Sequence, residues 1–193
     1  EMITNNLVIS TAESRSFVVN FIKKHNLEKD IFPTTDPVNK EELPSDSKLT
    51  KHQLYKAFLN NHLTIIENQS SGFILFSIRH QSPSKAQLIL ESFLNDLDNH
   101  FRILKRQRAE EAINFYDQET RNTTNKNLQL SLSKLIEDNY QNLSFSYMTS
   151  RFALNEIDPP HLPEFKIYPN RTSLALIYGF IGFMISIILS LLW

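Results

Sequence analysis

The stretch SPSKAQLILESFLNDLDNHFRILKRQRAEEAINFYDQETR, residues 82–121, decides the fold. It opens with Ser82 and Pro83, a favourable N-cap followed by proline at the first helical position. No proline or glycine occurs between Ser84 and Arg121. The sequence therefore predicts one continuous helix of roughly 55 Å at 1.5 Å per residue. Because a domain of this size has no core that long, we expect the helix to project.

A stripe of apolar residues runs along this helix at 4-3-4-3 spacing, which is typical of coiled-coil packing. Its members are Leu90, Leu94, Leu97, Phe101 and Leu104. A second helical face follows between residues 132 and 147, after a polar stretch at 120–127. The pattern predicts two long antiparallel helices, with the stripe packed between helices and partly across subunits of an oligomer.

Four basic residues lie at the end of the stripe and just after it: Arg102, Lys105, Arg106 and Arg108. Such a cluster is a candidate contact for an anionic sugar or phosphate. Glu110 and Glu111 come directly after it. Ion pairs within the helix or between subunits are therefore the alternative interpretation.

The residues before residue 82 predict shorter elements. Ser10 to Glu13 is a candidate capping box for a helix that runs to about His25. Segments 63–67 and 73–79 are rich in β-branched and aromatic residues, and the turn-forming residues 68–72 join them, so a hairpin is expected there. Residues 152–157 are expected to form a return strand beside it. The predicted fold class is α+β: a small α/β base domain, a long projecting helix hairpin and a C-terminal transmembrane helix.

The last 20 residues, Leu174 to Trp193, contain no charge. As a helix they would span about 30 Å, the thickness of a bilayer core. A core helix is seldom apolar on every face, so this pattern favours a transmembrane helix over a buried one. Gly179 and Gly182 would allow close helix packing within the bilayer.

Prolines are concentrated before this helix. The motif consists of Asp158, Pro159, Pro160, Pro163, Glu164, Pro169 and Arg171. Because proline fixes φ and biases the preceding residue toward extended geometry, the segment predicts a semi-rigid strut, with an ordinary linker as the alternative. The expected domains are 1–157, the base with its long helices; 158–171, the strut; and 172–193, the membrane helix. Because Glu1 opens the chain without a signal sequence, we expect a piece of a longer protein.

Three stretches of the chain resemble the Wzz family of bacterial O-antigen chain-length determinants, a branch of the polysaccharide co-polymerases. One is residues 71–86, a strand that leads into Ser82-Pro83-x-x-Ala86. Another is the long helix with Asn99, Arg102 and Glu111-Ala112. The most specific is Ile157-Asp-Pro-Pro-x-x-Pro-Glu followed by Pro169-x-Arg171. Together they cover about residues 63–193.

The resemblance implies a regulator that sets the modal length of a surface polysaccharide, the lipopolysaccharide O-antigen, made by a separate polymerase. It implies ring-like homo-oligomers at the bacterial inner membrane, with the soluble domain in the periplasm. The implied partners are other copies of the chain, the lipid bilayer, the O-antigen polymerase and the growing polysaccharide. Two alternatives are the adaptor half of a polysaccharide-export tyrosine autokinase, which would need a nucleotide-binding motif beyond residue 193, and a generic membrane-anchored coiled-coil tether.

The sequence gives little sign of catalysis. It has no cysteine and three glycines, which leaves no thiolate chemistry and no glycine-rich phosphate loop. Its six histidines have no metal-binding spacing. Asp96 and Asp98, two apart on a helix, point in different directions, so a solvated face is expected for them. We therefore predict no enzyme activity, catalytic residue, metal or cofactor. The net charge of −1 argues against nucleic acid as a partner.

Overall fold

The computed structural model of the chain describes residues 4–31, 50–148, 152–162 and 171–191. They are mostly helical. The elements in chain order are α1 (Asn5–Ala12), α2 (Arg15–Lys24), α3 (Glu28–Ile31), α4 (Lys51–Ala57), a π-helical turn (Phe58–His62), β1 (Leu63–Asn68), β2 (Phe73–Ile78), α5 (Pro83–Asn122), α6 (Lys126–Met148) and α7 (Arg171–Leu191). By their contacts they divide into two compact units, Glu1–Pro160 and His161–Trp193.

Two helices form where the sequence predicted one. The side chain of Thr4 caps α1, and that of Ser14 caps α2 by accepting a hydrogen bond from the Phe17 N–H. Ser10, the expected N-cap, lies inside α1, where its hydroxyl donates to the carbonyl of Asn6 at 2.6 Å. The predicted capping box is therefore wrong, because a serine within a helix is satisfied by the carbonyl of the preceding turn.

The predicted hairpin is confirmed. Strands β1 and β2 pair antiparallel, with Leu63 opposite Ile78 and Asn68 opposite Phe73. At the turn, Gly72 has a φ of 71°, which favours glycine, and its N–H donates to the Asn68 carbonyl at 2.8 Å. One face of the hairpin packs on the core through partly buried side chains such as Ile74 and Phe76.

Phe93 lies at the centre of the hydrophobic core and is fully buried. Its ring meets those of Phe17 and Phe21 edge-on, with centroids 5.4 and 5.1 Å apart, and lies 6.0 Å from that of Phe58. Edge-to-face aromatic pairs add about 1 kcal/mol each to the burial of their apolar area. This cluster therefore joins α2, the π-helical turn and α5.

Helices α5 and α6 pack together along their length, joined by the short turn Thr123–Asn125. The carboxamide oxygen of Asn125 accepts from the Asn127 N–H at 3.0 Å, which satisfies a donor that the first turn of α6 would otherwise leave open. Ala109 and Ile113 on α5 and Leu132 on α6 are buried. The pair thus has an apolar seam that continues beyond the main core.

The predicted α+β class is wrong for the described residues. Their one sheet has two strands, β1 and β2, and they are otherwise mostly helical. Residues 152–157, the expected return strand, adopt no strand conformation. The physical reason is that the Asp98 side chain on α5 accepts hydrogen bonds from the backbone N–H groups of Phe152, Ala153 and Leu154, which a third strand would have needed.

The predicted transmembrane helix is a second correction. A helix needs about 20 consecutive, predominantly apolar residues to cross a bilayer core. Among the residues that the structure describes, no helix combines that length with that apolarity.

Candidate functional site

Asp98 on α5 has an almost fully buried side chain, although the sequence predicted a solvated one. Its Oδ1 accepts hydrogen bonds from the backbone N–H groups of Phe152 at 2.9 Å, Ala153 at 2.7 Å and Leu154 at 3.1 Å. Its Oδ2 accepts from Nη2 of Arg102 at 3.0 Å, one turn later on the helix. One carboxylate therefore fixes a chain segment that lies more than 50 residues away in sequence.

The charged form of Asp98 is favoured in the folded chain. Burial acts to raise the pKa of its carboxyl group, but the hydrogen bonds from the Ala153 and Leu154 N–H groups, from Arg102 and from the Phe152 N–H together lower the pKa below its ordinary value. Asp98 therefore stays ionised at neutral pH. A carboxylate that accepts several backbone hydrogen bonds is a structural anchor.

Gln87, three turns before Asp98 on α5, forms a second anchor. Its Nε2 donates to the carbonyl of Pro160 at 2.8 Å. Residues 152–160 are thus held to α5 at both ends, and we name them the docked segment. Because Gln87 precedes Asp98 on α5 whereas Pro160 follows Ala153, the docked segment runs antiparallel to the helix.

The proline motif divides between this segment and residues beyond it. Asp158, Pro159 and Pro160 belong to the docked segment, and Pro160 is partly buried. Pro163, Glu164 and Pro169 lie outside the described residues, and Arg171 is the first residue of α7. Of the predicted strut, residues 158–160 are therefore part of the segment that is held to α5.

The predicted basic cluster is used largely within the chain. Arg102 pairs with Asp98. Arg106 donates from Nε to the Ser146 hydroxyl at 2.9 Å and from Nη2 to the Ser146 carbonyl at 2.8 Å, and its guanidinium lies 3.7 Å from the ring centroid of Tyr147. Arg102 thus forms an ion pair within α5, and Arg106 holds α6 to α5. Lys105 and Arg108 are the other two members of the cluster, and both have interactions of their own.

The predicted stripe lies partly in the core of its own chain. Leu97 and Phe101 are fully buried there, while Leu90, Leu94 and Leu104 are half-buried. Sequence reasoning missed Phe93, although Phe93, Leu97 and Phe101 recur every four residues. That spacing marks one face of a straight helix, whereas the 4-3-4-3 pattern marks a supercoil.

Asp96 also departs from the solvated face expected for it. Its Oδ1 lies 2.6 Å from Nζ of Lys24 and its Oδ2 lies 2.9 Å from Nε2 of His25, and its side chain is only 15% exposed. As expected, Asp96 and Asp98 share no partner: Asp96 holds α2, and Asp98 holds the docked segment. An open cleft of about 320 Å³ lies beside the Lys24–Asp96 pair, between α2 and α5.

The sequence contains one indication that Asp98 is buried. Asp98 precedes Phe101 by three residues and therefore shares its helix face, which is the buried face. The partners of Asp98, 152–154, carry no recognisable motif, since a backbone N–H group is present in any residue but proline.

The remaining candidates are placed as follows. Gly179 and Gly182 lie on α7, and a Cβ added to either would meet no described atom within 4 Å outside the helix's own turns. In the described ranges no three histidine, aspartate or glutamate side chains are grouped to hold a metal ion.

Chemically, the site does two things. The buried Asp98 carboxylate anchors the docked segment, and the cleft between α2 and α5 offers polar side chains for contact.

No family model matches the chain, and no curated protein matches it. The resemblance to the Wzz family therefore rests on the residues quoted for it.

Proposed function

We propose that this chain is a non-catalytic regulator of the chain length of a bacterial surface polysaccharide, the lipopolysaccharide O-antigen. It acts as a homo-oligomeric scaffold for the polymerase on the periplasmic side of the inner membrane. The three stretches that resemble the Wzz family support this function, and so does the way in which two of them meet.

The hydrogen bond between Gln87 and Pro160 is the observation that carries the proposal. Gln87 directly follows Ser82-Pro83-x-x-Ala86, and Pro160 belongs to Ile157-Asp158-Pro159-Pro160. These stretches carry the resemblance and are about 70 residues apart, yet the Gln87 Nε2 and the Pro160 carbonyl oxygen lie 2.8 Å apart. Because Gln87 is the next residue after one motif and Pro160 lies within another, the two motifs are neighbours in space, which favours one shared structural role over two chance similarities.

A scaffold protein holds the parts that it joins in a fixed arrangement. The buried Asp98 carboxylate accepts three backbone hydrogen bonds and an arginine, and so fixes the docked segment relative to α5. A buried hydrogen-bond network favours one arrangement of the elements that it joins. Such rigidity suits a protein that sets a length by positioning a polymerase.

Assembly into oligomers is supported by apolar surface on the long helices. Phe115 on α5 and Leu130 and Phe145 on α6 are 58%, 71% and 61% exposed. Large exposed apolar side chains are typical of protein interfaces. Further copies of the chain are the proposed partners.

The test is the length distribution of the polysaccharide on a gel, in cells that lack the gene and carry one variant at matched expression. Deletion should abolish the preferred length, and the wild-type chain should restore it. Gln87→Ala, which removes the bond to Pro160, should broaden the distribution. Gln107→Ala, at an exposed position of the same helix, is the matched control and should behave as wild type.

An unchanged modal length after deletion would refute the proposed function. A purified full-length chain that stays monomeric, as measured by light scattering, would refute the scaffold mechanism.

A further inference from the structure

The cleft between α2 and α5 is lined from both sides by polar side chains at helical spacing. Ser16 and Asn20 lie one turn apart on α2, and Asn99 and His100 face them from α5. Phe17 and Ile103 also line it and give it an apolar part. Its volume of about 320 Å³ is at the lower end of the roughly 300–1,000 Å³ typical of small-molecule sites.

The polar groups of the cleft are available to a ligand. The side chains of Ser16, Asn20 and Asn99 make no hydrogen bond with another described residue. Each hydroxyl or carboxamide both donates and accepts hydrogen bonds. The cleft therefore presents three side chains that can both donate and accept hydrogen bonds. They lie beside the aromatic ring of Phe17, which packs edge-on to the His100 ring with centroids 5.8 Å apart.

The charge of the cleft selects the kind of ligand. Its two ionised residues, Lys24 and Asp96, form a pair with Nζ and Oδ1 2.6 Å apart, so they compensate each other. An anion would have to compete with the Asp96 carboxylate for the lysine. Neutral polyols avoid that competition, and their hydroxyls match amide and hydroxyl partners.

We propose that this cleft binds a neutral saccharide unit. The inference rests on the proposed function, in which the chain regulates a polysaccharide, and it names the contact with that glycan. A sugar ring has hydroxyls at its rim and C–H groups on its faces, which fits polar walls around the exposed side chain of Ile103 and the small accessible part of Phe17.

The position of the cleft agrees with this role. On α5 its residues Asp96 and Asn99 lie to either side, in sequence, of Asp98, which holds the docked segment. A saccharide in the cleft would thus lie beside the part of α5 that carries the docked segment. The same helix, α5, would then contact the glycan and hold the docked segment.

Calorimetric titration of the full-length chain tests the inference. The ligands are fragments of one to three sugars, released from the surface polysaccharide of the native host and separated into neutral and acidic fractions. The neutral fraction should bind, with an affinity that changes less than about twofold between about 0.05 M and about 0.5 M salt, because no net charge is involved. The double variant Asn20→Ala/Asn99→Ala should bind at least about tenfold more weakly, which corresponds to about 1.4 kcal/mol.

Asn114→Ala is the matched control, since Asn114 is an exposed asparagine on α5 about 22 Å from Asn99 along the axis. It should keep wild-type affinity, and all variants should keep the wild-type thermal midpoint. Neutral fragments that fail to bind, binding by the acidic fraction alone, or affinity unaffected by the double variant would each overturn the inference.

The gene-deletion gel separates this inference from the proposed function. If deletion changes the modal length but neutral fragments do not bind, the saccharide site is wrong and the function stands. If deletion leaves the length unchanged while the fragments bind through Asn20 and Asn99, the site stands and the function is wrong.

Discussion

The Oδ1 atom of Asp98 accepts a hydrogen bond of 2.7 Å from the backbone N–H of Ala153, which lies 55 residues later in the chain. Two further N–H groups and Arg102 share the same carboxylate. These contacts attach the docked segment to α5 and occupy the N–H groups of Phe152, Ala153 and Leu154, which are then not available to a sheet. The first two predictions depend on this carboxylate.

Asp98→Ala should lower the free energy of unfolding by about 3 kcal/mol. The substitution leaves Arg102 and three backbone N–H groups without their acceptor, and breaking a buried pair is costly. Urea denaturation followed by circular dichroism measures the loss. Asp117→Ala is the control, because Asp117 also pairs with an arginine four residues later on α5 but is 49% exposed. Its effect should stay below about 1 kcal/mol; equal effects for the two variants would contradict the anchor role.

Acid should destabilise the wild-type chain through the same group. Because its folded-state pKa is lowered from 3.8, the stability that Asp98 contributes is present above pH 3.8 and is lost as the pH falls through the folded-state pKa. Asp30, whose pKa the hydrogen bond from Lys85 lowers, contributes in the same direction. Unfolding free energies measured between pH 7 and about pH 2.5 should fall at the acid end, and less steeply for Asp98→Asn. Parallel curves for the two proteins would refute the assignment.

Phe93→Ala should cost about 4 kcal/mol of unfolding free energy, since it opens a cavity where the rings of Phe17, Phe21 and Phe58 meet. Phe73→Ala removes the same side chain from an exposed position, the first residue of β2. It should cost less than about 1 kcal/mol. Thermal and chemical unfolding of both variants measure the loss of stability. A small loss for Phe93→Ala would mean that the core is elsewhere.

Arg106→Lys should weaken the attachment of α6 to α5 by about 1–2 kcal/mol. Lysine keeps the charge but cannot donate to both the hydroxyl and the carbonyl of Ser146 while stacking on Tyr147. Faster amide hydrogen exchange in the last turns of α6 is the expected signature. Arg121→Lys, on the exposed end of α5, should leave that exchange unchanged. Wild-type exchange in Arg106→Lys would show that charge alone suffices.

The features that the sequence determined are those that depend on neighbours in the chain. Helix α5 begins at Pro83 with Ser82 as its N-cap, as the Ser-Pro pair predicts. The hairpin forms where β-branched and aromatic residues flank a turn that ends in Gly72. Caps, proline and glycine restrict the backbone within a few residues, so their effect is legible without the tertiary structure.

Tertiary structure alone decided which polar groups are buried and what they hold. Asp96 and Asp98 look alike in sequence, yet one secures α2 and the other secures the docked segment. The sequence also favoured a third strand at 152–157, because a residue pattern cannot reveal that a distant carboxylate accepts the N–H groups of Phe152, Ala153 and Leu154. When the partner of a buried side chain is a backbone group, the sequence carries no sign of it. The attachment of the docked segment to α5 is therefore visible only in the folded chain.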